Sequence, residues 1–72
     1  MTLEEFKASI GKGIKNLPSN WRRGQKVFNF IEENYHVARK VQFEDHIDCF
    51  YDDSKIDEFI NASYSTFEHI NG

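Results

Sequence analysis

Little in this chain stiffens it covalently. Among 72 residues there is one cysteine, Cys49, and one proline, Pro18. A lone thiol closes no internal disulfide, which excludes a cross-linked secreted scaffold and fits a reducing, cytoplasmic setting. The opening Met-Thr-Leu-Glu-Glu has neither a basic stretch nor an apolar run, so no secretory leader is expected. No apolar run approaches membrane-span length, and a cytoplasmic protein without a membrane partner is the expectation. Internal repeats, low-complexity tracts and linkers are missing, so residues 1–72 read as a single small domain. Also missing are a glycine-rich phosphate loop, a His-Glu-x-x-His helix and any Ser/His/Asp set with a recognisable spacing. No catalytic residue, metal ligand or cofactor is therefore assigned, and a binding protein is favoured over an enzyme.

Aromatics are what the chain does have, at 15% of its residues, seven of them Phe. A domain of this size buries only ~60% of the surface that its unfolded chain exposes. Large rings compensate, because each covers much area.

The net charge of −3 hides an asymmetry. Residues 1–42 hold eight Lys/Arg and four Glu, a balance of +4; residues 43–72 hold one Lys and eight acids, a balance of −7. Either the two halves form opposite poles, or they pack together and neutralise each other.

The periodicity is helical throughout. Thr2 with Glu5 is a capping box, and Leu3, Phe6, Ile10, Ile14 and Leu17 follow on one face, predicting a helix over 2–16. Gly11 and Gly13 weaken it, and Pro18 disfavours a helical Leu17. Ser19 or Asn20 is positioned to cap a second helix over 20–34, whose stripe is Trp21, Phe28, Ile31 and Tyr35. Gly24 lies on that stripe, where it would let another helix come close. A short helix over 36–41 follows, or else one bent helix runs from 20 to 41. Residues 43–51 read as an acidic, aromatic loop. Asp53 or Ser54 then caps a last helix ending between Phe67 and Ile70, with Ile56, Phe59, Ile60, Ser63, Tyr64 and Phe67 as its stripe. The expected fold is all-α: a small bundle of three main helices plus a short fourth, with an ordered acidic-aromatic loop before the last helix.

Two dense words stand out: Trp21-Arg22-x-Gly24-Gln25-x-x-Phe28-Asn29, and Asp48-x-Phe50-Tyr51-Asp52-Asp53. Together they resemble a motif pair of short, uncharacterised phage and bacterial proteins. There, Trp-Arg-x-Gly-Gln-x-x-Phe-Asn is followed by a helical spacer, Asp-Pro-Phe-Tyr-Asp and an amphipathic helix. The similarity spans residues 20–59 and departs at Cys49, where the pattern usually has Pro. It implies a small helical protein carried by mobile elements or their hosts, and it brings no activity, cofactor or catalytic residue.

Each constellation has a structural reading beside its functional one. Trp21, Phe28, Phe50 and Tyr51 are a binding platform or simply core. Arg22, Arg23 and Lys26, with Lys40, form a phosphate-binding patch, or Arg22 anchors the acidic loop through a carboxylate. His46, Asp45, Asp48, Asp52 and Asp53 lack the glycine and the closing Glu of a calcium loop, so a solvated acidic loop explains them. Cys49 lies among acids that raise rather than lower a thiol pKa, which points to a structural thiol. The last helix presents Asp57, Glu58 and Glu68 opposite its aromatic stripe. The leading expectation is a small interaction or regulatory protein binding a host or phage protein through Asp45, Asp48, Asp52, Asp57 and Glu58. The alternative is a nucleic-acid-binding protein using Arg22, Arg23, Lys26 and Lys40.

Overall fold

The computed structural model describes residues 1–71, and all of its regular structure is helical. Helix α1 (Leu3–Gly13) opens at the expected capping box: the Glu5 amide donates to Thr2 Oγ1 at 3.1 Å, and the Thr2 amide donates to Glu5 Oε1 at 2.7 Å. Reciprocal bonding of this kind satisfies donors that a helix start otherwise leaves orphaned. α1 tightens into a 3-10 turn at Ile14–Asn16, so the last turn of the expected helix over 2–16 is 3-10 and not α. Gly13 stands at that junction. A Cβ placed there would sit 1.8 Å from the Phe30 ring, so the missing side chain lets α1 lie against Phe30.

Helix α2 (Arg23–Tyr35) begins three residues later than expected. Neither Ser19 nor Asn20 caps it. Arg22 occupies the cap position and contributes no side-chain bond. Trp21 lies before the helix, where its amide donates to the Pro18 carbonyl, and is half-buried. α2 stops at His36, whose φ of 59° is left-handed and whose amide donates to the Ile31 and Glu32 carbonyls. That geometry breaks the chain's direction and rules out one bent helix over 20–41.

Helix α3 (Ala38–Lys40) is short and widens directly into a π turn at Val41–Asp45, closed by a second left-handed residue, His46 with φ 57°. The helical path thus runs four residues beyond the expected 36–41 segment, and the irregular loop starts at His46, not Phe43. Asp52 caps a 3-10 turn at Asp53–Lys55, and helix α4 (Ile56–Asn71) follows.

The core forms where α1, α2 and α4 meet, and α3 and the loop close one side. Phe6, Val27, Ile31, Val41, Cys49 and Phe59 are fully or almost fully buried. Phe6 is the hub of one aromatic group, with ring centroids 4.7 Å from Tyr35, 5.4 Å from Tyr64 and 6.1 Å from Phe67. Phe28 is the hub of a second, at 5.6 Å from Phe50 and 5.4 Å from Phe59. Offset and edge-on pairs at such distances add ~0.5–1.5 kcal/mol each beyond area burial. The domain is an all-α bundle of three main helices and a short fourth, as the periodicity predicts. No helix among the described residues is long and apolar enough to cross a membrane.

Candidate interaction surface

The two motif words meet in space. The Gly24 amide donates to Asp53 Oδ1 at 2.9 Å, and the Cys49 thiol donates to the Gly24 carbonyl at 3.3 Å. A Cβ on Gly24 would lie 1.9 Å from the Cys49 carbonyl oxygen. The close approach foreseen at Gly24 is real, but the loop makes it and not another helix. Asp53 supplies from 29 residues away the cap that α2 lacks locally. Phe28 and Phe50 complete the clasp by packing edge to face. These motif residues therefore hold the fold together. Trp21 and Tyr51 stay outside the core: Trp21 is half-buried and Tyr51 is 73% exposed.

Arg22 does not anchor the loop through a carboxylate. Its guanidinium lies over the Tyr51 ring, 5.5 Å from the centroid, and both residues are exposed. Cys49 is fully buried, and burial pushes its thiol from an ordinary 9.0 up to about 12, with Asp48 and Asp53 adding to the rise. Burial and the raised pKa both disfavour the reactive thiolate at neutral pH. No cluster of three His, Cys, Asp or Glu among the described residues is arranged to hold a metal ion.

The candidate acids divide by task. Asp48 is half-buried and braces the loop: its Oδ1 accepts from the Phe50 amide at 2.8 Å and its Oδ2 from Gln42 Nε2 at 2.9 Å. Asp52 accepts from the Ser54 hydroxyl at 2.6 Å and the Ser54 amide at 3.0 Å; those bonds hold its carboxyl below the usual value. Asp45 ends the π turn, exposed beside the C-terminal half of α4 near Ser65 and His69. Asp57 and Glu58 are exposed in the first turn of α4. These five acids do not form one tight cluster. In sequence they form a band from the π turn, along the loop, to the start of α4, with Asp45 beside the C-terminal half of that helix and Asp57 and Glu58 at its other end.

The candidate cations are split as well. Arg22, Arg23 and Lys26 share the start of α2. Arg23 borders a hollow of ≈ 230 Å³ together with Asp53, Ser54 and Asp57, so acids face it. Lys40 lies elsewhere, bonded to Glu44 at 2.7 Å in an exposed i,i+4 pair. Basic and acidic halves thus interleave at these two places. Between Lys40 and Lys55, however, the chain has five acids and no Lys or Arg.

The structure adds Phe43, which is not among the residues singled out from sequence. It is 78% exposed, the most exposed large apolar side chain described. It sits two residues past buried Val41, about half a turn round the helical path, so it points away from the core. With Gln42 and His46 it lines an open hollow of ≈ 480 Å³. The signal was available in that offset from Val41, but reading it required knowing that the helical path continues past residue 41.

Comparison with protein-family models, with curated proteins and with solved structures finds no match.

Proposed function

We propose that this chain is a small interaction or regulatory protein, of mobile-element origin, that acts by binding a host protein rather than by catalysis. Its contact surface is the band of Asp45, Asp48, Asp52, Asp57 and Glu58 together with the exposed rings of Phe43 and Tyr51. One observation carries this reading: the segment from Val41 to Ser54 holds five acids without a single Lys or Arg, and two of its aromatic rings face outward. Such a segment attracts a basic partner and repels polyanions. The buried thiol and the hydrogen-bonding tasks of Asp48, Asp52 and Asp53 support binding over catalysis as the reading.

A second reading rests on Arg22, Arg23 and Lys26. All three open α2, whose first turn contains no acid. A nucleic-acid backbone would contact them, and Lys40 would not share that contact.

Capture from host lysate with a tagged protein, with and without nuclease, separates the readings. The interaction reading expects a stoichiometric protein that persists after nuclease, is lost with Asp57→Lys/Glu58→Lys and is kept with Arg23→Glu/Lys26→Glu. Material that is nuclease-sensitive, falls steeply with salt and is lost with Arg23→Glu/Lys26→Glu would transfer the function to the start of α2.

A further inference from the structure

We infer that the hollow at Gln42, Phe43 and His46 is the anchor point of that surface, and that its occupant is a Lys/Arg-bearing amphipathic helix of a partner protein. The inference rests on the interaction reading above and names the chemistry of the partner.

The backbone fixes the anchor. The π turn at Val41–Asp45 and the left-handed His46 hold Phe43 half a turn from buried Val41. Gln42, on the same turn, is tied to the loop by its bond to Asp48. From Asp48 the contacts continue through the Phe50 amide to the Phe50 ring, which lies 4.7 Å from the Tyr51 ring. Phe43 and Tyr51 are thus exposed rings on one continuously braced segment. An aromatic side chain on a rigid mount loses little entropy when a partner covers it, which is what an interface anchor requires.

Charge selects the occupant. Glu44, Asp45 and Asp48 follow Phe43 within five residues, and Lys40, three residues before it, is already bonded to Glu44. A second copy placed face to face about a two-fold axis would set these carboxylates against their own copies. A nucleic-acid backbone is repelled by the same charges. A cationic helix matches on both counts, with an apolar stripe for Phe43 and Lys or Arg beside it for the acids.

The test uses isotope-labelled full chain and two synthetic probes: a helical peptide patterned with Leu and Lys, and its Leu and Glu counterpart. The Leu–Lys peptide is expected to shift amide resonances of residues 41–51, to bind more weakly as salt rises, and to lose about tenfold or more in affinity with Phe43→Ser. Because Phe43 is exposed, that variant keeps the parent's melting temperature. Equal binding of the Leu–Glu peptide, shifts confined to other residues, or unchanged affinity in Phe43→Ser each overturns the inference. So does a concentration-dependent dimer abolished by Phe43→Ser, which would make a second copy the occupant. A captured host protein that Asp57→Lys/Glu58→Lys loses and Phe43→Ser keeps would overturn the anchor while leaving the wider interaction reading in place.

Discussion

The amide of Gly24 donates to the carboxylate of Asp53 at 2.9 Å, across 29 residues of chain. The loop carbonyl of Cys49 presses on the same glycine, so a Cβ there would stand 1.9 Å from it. Gly24→Ala must therefore push the loop off α2. We expect it to cost about 1–3 kcal/mol in urea unfolding, the range of overpacked cores. Asp53→Asn keeps the shape and weakens the cap, at about 1 kcal/mol. Equal and small losses for both would show that the loop yields freely.

Cys49 should behave as an inert side chain. At pH 8 the folded protein is expected to resist thiol-directed alkylation, and urea-unfolded protein to react at once. The folded thiol is raised from 9.0 to about 12, so between these values the unfolded chain has already released a proton that the native state retains. Stability contributed by the neutral buried thiol is complete below about pH 9 and lost as pH climbs towards 12. Cys49→Ala should flatten that alkaline decline in a series of urea melts; an unchanged decline would assign it to other groups.

Ser63 is fully buried on the stripe of α4, and its hydroxyl finds no hydrogen-bond partner. An unpaired buried hydroxyl bears a desolvation cost of about 1–3 kcal/mol. Ser63→Ala removes that cost and leaves a smaller, apolar side chain with better helix propensity. The variant is expected to melt at the parent's temperature or a few degrees above it. A clear loss of stability would mean that the hydroxyl is bonded in solution.

Acid should weaken the two helix starts at which a carboxylate is bonded. The Thr2 amide and hydroxyl hold Glu5 below its usual 4.5, and the hydroxyl and amide of Ser54 hold Asp52 below 3.8. Both pKa values are lower in the folded state, so the stability they add is present above the ordinary values and lost as pH falls through the lowered ones. Far-ultraviolet circular dichroism from pH 6 to 2 should show a shallower acid limb in Glu5→Gln and in Asp52→Asn. Curves parallel to the parent's would count against these caps.

Legibility followed the range of the interactions. The capping box at Thr2 and Glu5 and the stripe from Ile56 to Phe67 involve neighbours three or four residues apart, and both were readable directly. The start of α2 was not, because its cap is Asp53 and nothing near Asn20 signals it. Gly24 announced a close approach without naming the visitor. Arg22 suggested an ion pair because guanidinium and carboxylates share the two words, whereas the guanidinium lies over Tyr51. The π turn stayed hidden because Val41, Gln42 and Phe43 suit an ordinary helix, a wide turn or a loop equally well. The direction of Phe43 is unreadable from sequence for the same reason, since it depends on which of these the backbone follows.

The Gly24–Asp53 clasp also makes α2 depend on a residue far along the chain. Helix α2 is 13 residues long, near the limit below which an isolated helix is marginal in water. Its own flank offers no side-chain cap, and the missing one arrives only after the chain has doubled back through α3 and the loop. The start of the second helix is thus completed by tertiary structure and not by its own flank. Neither half of the polypeptide, severed at the loop, carries both this helix and its cap.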